Sequence, residues 1–158
     1  MVHFVFDLDD TLIIHDKKLP MNIYVQEDLE LDRLLNNCKG ECYIYTNGTL
    51  YHALNIINKM NIKRNFHKVY SRDTLDFMKP DIRSFQSVHL DLKAIYKKDE
   101  TIFFFDDLLE NLRSAKSFGW VTFWINPNFV TGHQYNFVDY SFKDIKTCLI
   151  YLEKLNDI

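Results

Sequence analysis

Glycine and proline are scarce in this chain, at four and three of 158 residues, which argues against collagen-like or long disordered segments. Cysteine is scarce too. Cys38, Cys42 and Cys148 make an odd set with no CxxC pair, the pattern of reduced thiols in an intracellular protein. No apolar run reaches membrane-spanning length, and Met1 leads directly into a strand-like segment rather than a signal-type leader. A cytoplasmic location without membrane contact is therefore expected. Neither sign of charge dominates: 19 Lys plus Arg against 22 Asp plus Glu give a formal −3. That removes the simplest argument for a general nucleic-acid coat, while leaving room for a local basic groove. His3, His15, His52, His67, His89 and His133 show no HExxH or other compact zinc spacing, and most are expected to be hydrogen-bonded or exposed without metal. GxGxxG, GxxxxGK[ST] and GxSxG are also missing, which argues against a dinucleotide site, a Walker ATPase and a serine-elbow hydrolase.

What is present is apolar and aromatic. The chain is 47% hydrophobic and 15% aromatic, enough for one substantial core, and residues 1–158 are expected to form a single domain. Five short apolar runs read as strands: His3–Phe6, Cys42–Tyr45, His67–Tyr70, Thr101–Phe105 and Trp120–Trp124. Between them apolar residues recur at helical spacing. Leu31, Leu34, Leu35 and Cys38 share one face, and Leu50, Ala53, Leu54, Ile57 and Met60 another. Phe85, Val88 and Leu92 follow Pro80, while Leu108, Leu112 and Ala115 precede Gly119. Phe142, Ile145, Leu149 and Leu152 predict a final amphipathic helix, and residues 126–132 a loop. Continuous apolar strands alternating with helices predict an α/β, three-layer, Rossmann-like fold around a mainly parallel five-stranded sheet.

In such sheets ligands bind outside the carboxyl ends of the strands. Three of the runs stop at polar residues: Asp7 and Asp9 after the first, Thr46 and Asn47 after the second, Asp106 and Asp107 after the fourth. Carboxylates crowded at one crevice repel unless a cation joins them, and an all-oxygen set suits Mg²⁺. The plainer alternative is that each acid caps a loop or helix. Asp7 and Asp9, two residues apart, point the same way if the chain stays extended there. One could then attack phosphorus and the other exchange a proton with the leaving oxygen. Thr46 and Asn47 offer donors to phosphate oxygens, and Lys79 offers positive charge.

The segment FVFDLDDTL, residues 4–12, resembles the first signature of the haloacid dehalogenase-like (HAD) phosphohydrolases, DxDx[TV] after a hydrophobic strand. Thr46 closing YIYTN, Lys79 in FMKPD, and Asp106, Asp107 and Asn111 in TIFFFDDLLEN resemble the second, third and fourth, all in order. The resemblance implies Asp7 as nucleophile and Asp9 as general acid/base, with the Asp9 backbone carbonyl also meeting Mg²⁺. It implies Asp106 as a direct metal ligand, Asp107 as one directly or through water, and Thr46 and Lys79 as orienting phosphate and nucleophile. Residues 45–81 are most similar to the pyrimidine-nucleotidase and phosphoglycolate-phosphatase-like groups.

Those groups insert a helical cap between the first and second signatures, but residues 10–41 hold room only for a short flap and one helix. A capless crevice admits bulky phosphorylated partners. The expected substrate is a nucleotide or nucleic-acid end phosphate, with a phosphoprotein as alternative; a non-catalytic interaction protein on the same fold is the third reading. The flap residues His15, Lys17 and Lys18 either touch a substrate's further phosphates or are solvated loop charges. A homodimer is one way of covering such a crevice.

Overall fold

The computed structural model describes residues 2–95, 100–129 and 135–156. Six strands, all pairing in parallel, form one sheet. They are β1 Val2–Phe6, β2 Gly40–Tyr45, β3 Phe66–Tyr70, β4 Thr101–Asp106, β5 Val121–Ile125 and β6 Tyr140–Phe142. Their order across the sheet is β3-β2-β1-β4-β5-β6. The chain winds outward from β1 to β3, then returns to β1's other side with β4 and winds outward again. This makes the β1–β4 junction the switch point where a crevice opens beyond the strand ends.

Alternation along each strand explains why the runs are apolar throughout. Phe4, Phe6, Ile44, Phe105, Phe123 and Ile125 face one side, against α2 Leu29–Asn36, α3 Leu50–Lys59 and α6 Ile145–Asn156. Val5, Tyr43, Tyr45, Ile102, Phe104 and Trp124 face the other, against α4 Ile82–Ile95 and α5 Leu109–Lys116. Both faces are thus covered, as parallel sheets require. A row of stacked rings crosses the sheet: Phe6 on Phe105 at 4.5 Å, Phe105 on Phe123 at 4.5 Å, and Phe123 on Tyr140 at 5.0 Å. Ring pairs of this kind add to plain area burial. Because Phe6 pairs Phe105 in register, the residues that follow, Asp7 and Asp106, emerge at the same level.

The sheet carries one strand more than the sequence pattern indicates. Phe142, grouped with the last helix on periodicity, ends β6, and α6 starts at Ile145. Three residues at an edge are too few to register as an apolar run. In α3 the fully buried stripe is Ala53, Ile56 and Ile57, with Met60 just beyond; Leu50 and Leu54 are half-buried. Gly119 ends α5 in the left-handed region, at φ 76°, with its N–H on Lys116 O and the Trp120 N–H on Ala115 O. The expected loop at 126–132 is described only as far as residue 129, and residues 130–132 with His133 lie outside the described residues.

No cap is inserted. Between β1 and α2 lies a flap with one four-residue helix, α1 Met21–Tyr24, and between β2 and α4 only α3, a single 3₁₀ turn and β3. Among the described residues no helix is long and apolar enough to cross a membrane.

Candidate active site

Asp7 follows β1 and is held by the sheet itself, its N–H donating to Phe105 O at 2.9 Å. Its carboxylate is nearly buried and meets two donors: Thr11 Oγ1 donates to Oδ2 at 3.1 Å, and Lys79 Nζ to Oδ1 at 3.1 Å. Asp106, the last residue of β4, is fully buried. Its Oδ1 accepts from Leu108 N, and its Oδ2 from Lys79 Nζ at 2.9 Å and Asn111 Nδ2 at 3.1 Å. Asp107 is half-buried, with Thr11 Oγ1 3.4 Å from its Oδ1 and its backbone carbonyl accepting from the Trp124 indole at 3.0 Å. One carboxylate oxygen from each of Asp7, Asp106 and Asp107 lies within 4.8 Å of the others.

Lys79 is the cation at the centre. A lysine before proline ordinarily sits in solvent; this one is buried, and all three of its ammonium hydrogens are taken, by Asp7, by Asp106 and by Tyr45 O at 2.7 Å. Burial opposes its charge, but Asp106 and Asp7 outweigh burial and lift its pKa above the ordinary lysine value. Asn47 sets its position. The Asn47 carboxamide donates to Lys79 O and accepts from Lys79 N, both at 2.9 Å. That side chain is therefore committed to the Lys79 backbone. Thr46, buried after β2, accepts from Gly48 N at 3.0 Å, and its hydroxyl hydrogen meets no acceptor among the described residues.

One ammonium does not balance three carboxylates. Burial, and then the neighbouring Asp106, push Asp7 up to about 6; burial and a hydrogen bond shared with Asp7 push Asp107 up to about 8. Asp7 and Asp107 thus hold protons as a coupled pair well above the ordinary carboxylate range. A bound divalent cation would remove the cause. The donors are all oxygen, closely spaced and short of positive charge, which fits Mg²⁺ and does not suit a soft metal. Asp7, Asp106 and Asp107 would hold it.

Asp9 is separate from this cluster. Its carboxylate is about one-third exposed, and both His15 Nε2 and His52 Nε2 reach its Oδ1, at 2.5 and 2.9 Å. His15 Nδ1 in turn meets Tyr24 Oη at 2.7 Å. Neither histidine is legible from spacing, since 37 residues separate them; the one clue for His52 is its place just after Thr49, which caps α3 at a strand end. An open cleft of about 670 Å³ borders the acid cluster at Asp107. Asp10, Ile14, Asn126, Asn128, Lys17 and Lys143 are among its lining residues. Lys17 therefore faces the cleft, whereas Lys18 is an exposed turn residue whose N–H donates to Asp16.

No protein-family model and no curated protein matches the sequence. Solved structures do match the fold. A protein from Thermotoga maritima described as a β-phosphoglucomutase aligns at TM-score 0.70 and 13% identity, over 98% of this chain and 100% of its own. YfnB from Bacillus subtilis, described as a HAD-hydrolase and bound to magnesium, aligns at 0.68 and 14%, over 99% and 98%. The core domain of a protein described as a phosphoglycolate phosphatase, from Streptococcus pneumoniae TIGR4, aligns at 0.64 and 15%, over 96% and 95%. What these structures share with the chain is the fold, an open parallel sheet with helices on both faces; in this chain no cap is inserted into it.

Proposed function

We propose that this chain is a Mg²⁺-dependent phosphomonoester hydrolase working through an aspartyl-phosphate on Asp7. The observation that carries the reading is the Asp7 carboxylate, set at the sheet's switch point against a buried lysine and two further acids, one of which, Asp107, lines an open cleft.

Asp7 attacks the phosphorus; the new Oδ–P bond forms as the bond to the leaving oxygen breaks, and that oxygen takes a proton from Asp9. Water then attacks the same phosphorus, gives its proton to Asp9, and releases phosphate with the Asp7 carboxylate restored. Asp9 Oδ2, the oxygen not engaged by the histidines, is the one to carry that proton. Lys79 holds Asp7 in place and favours its ionised form against burial and Asp106, and Thr46 Oγ1 with the main-chain N–H groups after β2 holds the phosphoryl oxygens. The cation would supply charge neutralisation to the acids and the transferred group.

The substrate we propose is a nucleotide or a nucleic-acid end phosphate. A cleft with no lid accepts a chain that continues beyond its terminal phosphate, and Lys17 and Lys143 stand on its wall among Asp10, Asp107 and Asp144 as the cations a further phosphate could meet. The likeness of residues 45–81 to the pyrimidine-nucleotidase group points the same way, while the absence of that group's cap weighs against a small enclosed nucleotide and toward a longer chain. A screen of nucleoside monophosphates, 3′- and 5′-phosphorylated oligonucleotides and phosphopeptides in Mg²⁺ tests it. The highest kcat/KM is expected on the nucleotide or oligonucleotide arm; a preference for phosphopeptides would overturn the substrate assignment while leaving the chemistry intact.

A further inference from the structure

A second set of donors converges beside the acid cluster, built from the flap and the first turn of α3. His15 Nε2 and His52 Nε2 both approach the single oxygen Asp9 Oδ1, and one ligand atom from each of the three residues lies within 4.8 Å of the others. We propose that Asp9, His15 and His52 form a binding site for Zn²⁺, or a similar borderline transition-metal ion, separate from the all-oxygen Mg²⁺ site.

The donor chemistry separates the two sites. Two imidazole nitrogens and one carboxylate oxygen suit zinc, whereas Mg²⁺ takes oxygen ligands and keeps its waters. Three protein ligands with a fourth position open to water is a recurring zinc arrangement. It matches residues whose side chains are between a fifth and a third exposed. The surroundings are already arranged for it. The remaining ring nitrogen of His15 is fixed by Tyr24 Oη at 2.7 Å, the kind of outer hydrogen bond that orients a metal-bound imidazole. In a neutral, metal-free His15 ring, Nε2–H donating to the Asp9 carboxylate leaves Nδ1 to accept from the tyrosine hydroxyl. With a cation on Nε2 the ring proton sits on Nδ1 and the Tyr24 oxygen accepts it, so the same pair serves both states. Gly48 makes the approach of His52 to Asp9 fit: a Cβ there would lie 2.9 Å from His52 Cδ2 and 3.7 Å from Asp9 Oδ2.

Zinc at this site occupies the carboxylate assigned to proton transfer and ties the flap to α3. It therefore inhibits turnover even when Mg²⁺ is saturating, a consequence that rests on the proposed function. The site itself does not, and its test needs no turnover. Co²⁺, as a spectroscopic stand-in for Zn²⁺, is titrated in excess Mg²⁺ into wild type, Asp7→Asn, His15→Gln, His52→Gln and Tyr24→Phe. Intense four- or five-coordinate visible bands are expected in wild type and Asp7→Asn, displaced by stoichiometric Zn²⁺. Both histidine variants lose them, and Tyr24→Phe weakens binding about tenfold. The histidines are partly exposed, and Tyr24→Phe gives an independent reading should either variant fail to fold. The proposal is overturned by weak six-coordinate bands, by bands that survive both histidine substitutions, or by no uptake beyond what Mg²⁺ prevents. In that last case the imidazoles only hydrogen-bond Asp9.

Discussion

Asp7→Asn lowers Mg²⁺-dependent phosphate release by at least about 10⁴-fold, because a carboxamide cannot open a covalent path through the protein. The substitution is close to isosteric. Thr11 Oγ1 and Lys79 Nζ, at 3.1 Å each in the native cluster, lose a charged acceptor but not the volume that fills the site. The loss should therefore appear in kcat, with the protein folded and the cleft unchanged. Removing one of three crowded carboxylates also relieves repulsion, so metal-free Asp7→Asn should melt at or above the wild-type temperature at pH 8. A variant that is inactive because it is unfolded would melt lower, and melting curves taken beside the kinetics separate the two cases. Activity equal to wild type would remove Asp7 from the chemistry.

The second large effect concerns stability, pH and metal together. Asp7 and Asp107 titrate at about 6 and about 8 in the folded protein, above the ordinary value near 3.8 that an unfolded chain would show. Between those limits the folded state holds protons that the unfolded chain has given up. Metal-free stability therefore falls as pH rises from about 4 to about 8, and levels off above. A cation that keeps the carboxylates ionised removes the difference. Mg²⁺ should then raise the melting temperature by roughly 5 °C or more at pH 8, and by much less at pH 5. Melting curves with and without chelator across that range measure it. A Mg²⁺ effect that does not depend on pH would mean that the buried acids are not its site.

Much of this arrangement could be read from the sequence because abrupt changes of residue type mark it. β1, β2 and β4 each end where an apolar run meets Asp or Thr, and that change of residue type alone puts Asp7, Thr46 and Asp106 at one edge of a parallel sheet. Lys79 was a different case. Nothing local distinguishes it from a solvated loop lysine, and only the ordered signatures singled it out; three acceptors from three separate segments bury it. Asn47 lies beside the site, and a sequence does not tell a phosphate donor from a residue whose carboxamide braces the next loop. The pairing of His15 and His52 on Asp9 depends on how the flap folds back, and no periodicity encodes that. β6 escaped for a plainer reason: three residues at a sheet edge carry too little pattern, and Phe142 fitted a helical spacing just as well.

The most direct measurement is a rapid acid quench of a single turnover with ³²P-labelled substrate in Mg²⁺, followed by peptide mapping. The label should sit on the peptide containing Asp7, be released by hydroxylamine as an acyl phosphate is, and be absent from Asp7→Asn. Label on another residue, or turnover that proceeds with no protein-bound phosphate at any time, would contradict the account.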